Sequence, residues 1–195
     1  MHEPRDTGSK WEEVKGADWA HPRGPKSDVR AKQDHPVTCV SWHDAVAFCK
    51  WAGVRLATEA EWEKAARGTE GRIWPWGSRE PNSGLCNFNM TVGDTTPVGC
   101  YPDGTGPYGL TDAAGNVWEW TNSLWGADVN KPEFGYPYAA TDARENPSAP
   151  DTVLRIVRGG SLTHVAQFVR CACRRGFCPS DRYDNSGFRV VTLGF

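Results

Sequence analysis

VSWHDAVAFCKWAGVRLATEAEWEKAARG, residues Val40–Gly68, carries two helix signatures in succession. Ser41 stands three residues before Asp44, so its hydroxyl can accept from the Asp44 N–H while the Asp44 carboxylate reaches back to the Ser41 N–H. Thr58 and Glu61 repeat the arrangement. Gly53 and Gly68 close the segments, because glycine takes up the left-handed conformation at a helix end without a Cβ penalty. The first predicted helix places Ala45, Phe48, Cys49 and Ala52 on one face, and the second places Trp62, Ala65 and Ala66.

Outward from this pair the periodicity changes. Residues 1–36 are polar and rich in Gly and Pro, which predicts irregular chain, with 1–10 disordered or tag-like. Beyond residue 69 come short apolar pieces between turn formers. Pro97–Tyr101, Gly115–Thr121, Val153–Arg158 and Gly187–Val191 read as brief strands. Residues 126–152 hold four prolines and read as a long surface excursion. Two early helices followed by scattered strands, with no internal repeat, predict one α+β domain over residues 1–195.

Composition narrows the function. The chain has no apolar run long enough to cross a bilayer, and its net charge of -2 supplies no electrostatic argument for nucleic acid or a membrane surface. The charge is uneven, however. Residues 151–195 hold seven Arg and no Lys against Asp151, Asp181 and Asp184, a local +4. Such a segment attracts an anionic partner, or else its arginines bridge carboxylates and carbonyls within the fold. All ten tryptophans lie between Trp11 and Trp125, and the last seventy residues have none.

Cys39, Cys49, Cys86, Cys100, Cys171, Cys173 and Cys178 are an odd number without regular spacing, and the N-terminus has no secretory signal. The expectation is a reduced, cytoplasmic chain as encoded, with surface display left open. The histidines form no HxxxH pair and the cysteines no CxxC, so the common zinc signatures are missing. Cys171, Cys173 and Cys178 could offer three thiolates to a soft metal, or be buried structural thiols.

Many ordered motifs between residues 11 and 191 resemble the formylglycine-generating enzyme (sulfatase-modifying factor) family. They include Val14–Pro22, His35-Pro36-Val37, Val40-Ser41-Trp42, Arg55–Glu63, Tyr108-Gly109-Leu110, Gly115–Thr121, Arg158-Gly159-Gly160-Ser161 and Gly187-Phe188-Arg189. The resemblance implies a variant of the C-type lectin fold, in which a small sheet core supports much irregular loop. The family's opening β segment is absent, which reads as a shortened form or a piece of something longer. Trp42, Trp62, Trp118 and Trp120 belong to the recurrent scaffold, while Leu162 replaces the tryptophan that commonly follows Gly-Gly-Ser.

The resemblance also implies where chemistry would sit. The family's enzymes bind copper(I) through two cysteines shortly after Gly-Gly-Ser, yet Leu162–Val169 contains none. Cys173 and Cys178 have the family's spacing of five but lie after Arg170-Cys171-Ala172, in a different loop by register, and are the candidates if the chain is a copper-dependent oxidase. The family's disulfide partners of Cys49 and Cys171 are here Val190 and Ala66. Calcium is implied at Asp112, Gly115, Val117 and Glu119, and a second calcium near Asn87, Phe88 and Asp94. The reading favoured by the sequence is a non-enzymatic binding protein, of the kind used as the variable protein of a diversity-generating retroelement. Its ligand surface would fall within residues 158–191, on Leu162, Thr163, His164, Phe168, Cys173, Arg175, Phe177, Cys178, Tyr183 and Asp184. Its partner would be a protein or other surface ligand, bound by a monomer. The alternatives are the copper oxidase acting on a sulfatase cysteine, and an undiversified accessory domain.

Overall fold

The computed structural model describes residues 12–139 and 141–192, so the expectation for residues 1–10 lies outside the described residues. Both helices form as their caps require. α1 covers Trp42–Ala52 and α2 covers Glu59–Arg67; Ser41/Asp44 and Thr58/Glu61 each make the reciprocal pair of capping bonds. Between the helices runs β1, Val54–Leu56. The described part of the N-terminal segment, 12–36, is irregular, as expected.

The central sheet is built from β2 (Trp118–Gly126), β3 (Leu154–Arg158), β4 (Arg174–Phe177) and β5 (Ser186–Phe188), in the order β4-β3-β2-β5. β3 runs antiparallel to both β2 and β4, and β5 runs parallel to β2. β6, Val190–Thr192, leaves this sheet and pairs antiparallel with β1. The expected single strand Gly187–Val191 is thus divided at Arg189, whose side chain turns inward to Glu119.

Other strand expectations are corrected. Pro97–Tyr101 is a turn: the Gly99 N–H donates to the Asp112 carboxylate at 2.7 Å rather than to a neighbouring strand, and Val98 is exposed. Gly115–Val117 is also a turn, and β2 begins only at Trp118. Gly115 needs its positive φ of 76°, and a Cβ there would stand 2.2 Å from the Asn87 carbonyl oxygen. The excursion between β2 and β3 is irregular but not wholly superficial, since Arg144 is buried against Asp142 and the Gly135 carbonyl.

The tryptophan framework is the core. Trp42, Trp118 and Trp120 pack with Ala45, Cys49, Leu56 and Val157, while Trp62 packs with Ala57, Ala66, Ala113 and Cys171. On α1 only Ala45 and Cys49 of the expected face are buried, with Phe48 and Ala52 open. All seven cysteines are free. Cys171 and Ala66, the pair that the family resemblance relates by a disulfide, do share one cluster, held here by packing.

Arginines do much of the tying. Arg158 is fully buried and reaches Glu59 (3.1 Å), Glu63 (2.6 Å) and the Cys171 carbonyl (2.6 Å). Arg174 closes on the other side of Glu59, and Arg182 pairs with Asp44. Arg155 lies 3.8 Å above the Trp42 ring and donates to the carbonyls of Asn122, Asn146 and Pro147. For these residues, and for Arg189 on Glu119, the internal-bridge reading of the basic segment holds.

Candidate functional site

The sheet edge at β4 and the loops on either side of it gather most of the expected ligand residues. Along β4 side chains alternate, so Arg175 and Phe177 share one side while Arg174 and Gly176 share the other. Phe177 meets Trp118, Trp120 and Tyr183 edge to face, with centroids 6.1, 5.9 and 5.1 Å apart. His164 stands edge-on to Trp118 at 5.2 Å and to Phe168 at 5.5 Å, and the Arg175 guanidinium lies 6.0 Å from the Phe168 ring. His164, Phe168, Arg175, Phe177 and Tyr183 therefore form one half-buried aromatic patch carrying a guanidinium. Burial by these rings pushes the Arg175 pKa down and the Tyr183 pKa up.

The patch continues into a polar knot. The Ser161 hydroxyl lies 2.7 Å from His164 Nδ1 and 3.0 Å from the Thr163 hydroxyl, and the Asn185 amide N–H donates to both hydroxyls at 3.1 and 3.2 Å. The 162–164 loop is pinned from both sides: Leu162 donates to the Asn116 carbonyl, while Met90 and Asn89 donate to the carbonyls of Leu162 and His164.

Leu162, Thr163, Asp184 and Asn185 then form one wall of a cavity of about 440 Å³. The opposite wall is the N-terminal irregular segment, with Trp19, Arg23, Lys32 and Val37, and with Met90 and Asp94 beside it. Sequence reasoning missed these residues, because nothing local in a Gly- and Pro-rich stretch marks it as a wall. The one available signal was Trp19, a large aromatic in a segment without apolar periodicity, and it is 61% exposed at the rim.

Cys173 and Cys178 do not join. They flank β4 at its two ends, a span of about 16 Å at strand rise. Cys173 packs against the Trp118 cluster with its pKa pushed up by burial, whereas Cys178 faces Ser180 and the Asp151 carbonyl. Burial pushes the thiols of Cys86 and Cys171 up to about 12 and that of Cys39 to about 11. Among the described residues no three His, Cys, Asp or Glu side chains gather as a metal-holding group, so the trio Cys171, Cys173 and Cys178 does not assemble.

The two expected calcium positions differ. At the first, Asp112 accepts the Gly99 N–H, and burial, together with the nearby charge of Glu119, pushes its pKa up. Glu119 is clasped by Arg189 at 2.5 Å through both oxygens and also accepts the Trp62 indole N–H at 2.6 Å. Two carboxylates against one guanidinium leave an excess negative charge beside the Gly115–Val117 turn, which a hard cation would offset. At the second, Asp94 is already held by Lys32 and Arg23, and the Phe88 carbonyl accepts from the Thr91 N–H and hydroxyl. Only Asn87 Oδ1 is buried there without a hydrogen-bond partner. As arranged, that set does not fit a cation.

Comparison with known proteins agrees with this architecture. The model of the sulfatase-modifying factor enzyme 1-like domain matches residues 4–193. The formylglycine-generating enzyme of Mus musculus is 36% identical over 98% of this chain and 53% of its own length. The inactive C-alpha-formylglycine-generating enzyme 2 of Bos taurus is 37% identical over 93% of this chain and 57% of its own length. The structure of Treponema denticola variable protein 1 superposes with a TM-score of 0.65 at 24% identity, over 91% of this chain and 78% of that one. The chain spans about half the length of the curated relatives it matches. By its core, its turn motifs and the extent of this match, the chain belongs to the sulfatase-modifying factor enzyme 1-like domain family, with the C-type lectin-like fold of formylglycine-generating enzymes.

Proposed function

We propose that this chain is a ligand-binding member of its family that performs no copper chemistry. Its recognition surface is the patch of His164, Phe168, Arg175, Phe177 and Tyr183, continued into the cavity bordered by Leu162, Thr163 and Asp184. The observation that carries the proposal is the separation of Cys173 and Cys178. Copper(I) needs soft thiolates in one coordination sphere, and these two lie beyond opposite ends of a strand. Likeness to relatives does not decide the matter, since an active enzyme and an inactive one are about equally similar to this chain. Aromatic and arginine side chains at a half-buried surface are the types that dominate binding hot spots.

The finer reading, supported by the same clustering, is a variable protein of a diversity-generating retroelement. Variation would then be carried by Leu162, Thr163, His164, Phe168, Cys173, Arg175, Phe177, Cys178, Tyr183 and Asp184. A near-copy of the segment encoding residues 162–186, differing almost only at adenines and lying near a reverse-transcriptase gene, supports this; the absence of both from a complete genome overturns it. We also propose calcium at Asp112, Gly115, Val117 and Glu119, where it would neutralise the excess carboxylate charge and stiffen the turn under Trp118.

A second reading, the copper-dependent oxidase, is favoured by the identity to formylglycine-generating enzymes. One assay separates the two. On incubation with copper(I), oxygen and a Cys-x-Pro-x-Arg peptide we expect no mass change at the peptide cysteine. A mass loss abolished by Cys173→Ser or Cys178→Ser overturns the binding-protein reading.

A further inference from the structure

The N-terminal wall of the cavity carries a charge arrangement with no counterpart on the aromatic patch. Asp94 gives one carboxylate oxygen to Lys32 Nζ at 2.6 Å and the other to the Arg23 guanidinium at 2.8 Å, and it also accepts the Thr95 N–H at 2.7 Å. Two cations thus share one anion, leaving one positive charge in excess on that wall. Both cations stay accessible, with side chains 65% open for Arg23 and 32% for Lys32, so each keeps N–H donors available to a ligand. His35, which also lines the cavity, has its Nδ1 2.8 Å from the Thr95 hydroxyl. Asp184 stands on the C-terminal wall and is engaged with partners of its own. Between these charges the lining is mixed: Trp19, Val37, Met90 and Leu162 supply apolar surface, interspersed with polar residues such as Thr38 and Asn185.

We propose that the cavity receives a carboxylate-bearing group. Its anionic end would be met by Arg23 and Lys32, and its apolar body would lie along Trp19, Val37, Met90 and Leu162. The inference rests on reading this surface as a ligand site and names the chemistry that the site selects. A volume of about 440 Å³ suits an arylalkanoate. Asp94 acts as a positioning residue, since it holds two long, flexible side chains over one wall before any ligand arrives and so reduces the ordering cost of binding.

The test uses the whole chain and three isosteric probes, 4-phenylbutyrate, 4-phenylbutanamide and 4-phenylbutylammonium, titrated by calorimetry at low salt. The carboxylate is expected to bind about fivefold more tightly than the amide, the size expected of a partly exposed ion pair, and more tightly still than the ammonium. Sodium chloride should erode the difference. In the Arg23→Gln/Lys32→Gln variant, whose changes lie in an irregular, solvent-facing segment, the amide and the carboxylate should bind alike while the melting temperature stays near that of wild type. Equal binding of all three probes to wild type overturns the charge preference and leaves the surface as a ligand site. A carboxylate preference that survives in the double variant also overturns it, and failure of every probe to bind overturns the assignment of the cavity itself.

Discussion

Replacing Glu59 with Gln tests whether the buried arginines organise this fold. Glu59 is 1% exposed and its carboxylate faces two guanidinium groups, those of Arg158, itself fully buried, and Arg174. Arg158 retains Glu63 at 2.6 Å after the change, but Arg174 is left with the Phe134 carbonyl at 2.8 Å and the rings of Trp125 and Tyr136. Breaking a buried ion pair by removing one partner costs about 3–5 kcal/mol. Gln preserves shape and one acceptor oxygen, so the lower end applies, about 3 kcal/mol. For a chain of 195 residues that corresponds to a fall in melting temperature of about 6–12 °C. Arg182→Gln removes the open pair with Asp44, half exposed on both sides, and should cost less than about 1 kcal/mol. Thermal melts followed by circular dichroism compare the two. The double variant Glu59→Gln/Arg174→Gln, which removes the stranded charge, should lose less than the sum of its single changes. If Glu59→Gln melts no lower than Arg182→Gln, or if the double variant is additive, the network is not the organising element described above.

Three further outcomes follow from the same structure. Bidentate hydrogen bonds from Arg55, at 2.6 and 2.7 Å, hold the Glu61 pKa at about 2, with burial opposing and the Thr58 cap assisting. Because the folded value lies below the unfolded one, this stabilisation is complete above about pH 4.5 and is lost as the pH falls toward 2. With Glu61 44% open it is worth under about 1 kcal/mol, so Glu61→Gln should flatten a small part of the acid limb of a stability curve, and an identical limb refutes the assignment. Chelation is expected to lower the melting temperature of wild type and not that of Asp112→Asn; calcium at a hundred times its Kd would be worth about 2.7 kcal/mol, and the absence of any shift removes the site. Gly176→Ala would place a Cβ 2.5 Å from the Trp125 ring and should cost about 1–3 kcal/mol by overpacking, measured by urea unfolding, whereas wild-type stability would show that β4 yields freely.

What was legible in the chain was what local chemistry encodes. Caps act across three residues, so α1 and α2 could be placed from Ser41, Asp44, Thr58, Glu61 and their closing glycines. β3 stands out because Val153, Leu154, Ile156 and Val157 concentrate apolar, mostly β-branched residues around a single Arg155. β4 does not, since Arg174-Arg175-Gly176-Phe177 has no strand-like composition and becomes a strand only because β3 offers an open ladder. Pro97–Tyr101 failed for the opposite reason: its apolar residues suit a strand, but its Gly99 amide is claimed by Asp112. Helical spacing points Phe48 inward, yet it lies against Trp51 and Phe188 at the surface because α1 meets the core along a narrower stripe.

The order of residues along the chain already specifies the helix pair, the family, the tryptophan framework and the terminal segment that carries the candidate ligand residues. Motif order and capping depend on neighbours a few residues away, and a chain carries such information explicitly. Packing in three dimensions is what makes His164, Phe168, Arg175, Phe177 and Tyr183 one patch and parts Cys173 from Cys178 by a strand. It also sets a segment without regular structure, holding Trp19, Arg23 and Lys32, across a cavity from Leu162 and Thr163. The cavity joins residues more than a hundred positions apart and the patch is seated on Trp118 and Trp120 of a distant strand, so these relations are set by how buried rings and paired charges pack rather than by any local pattern.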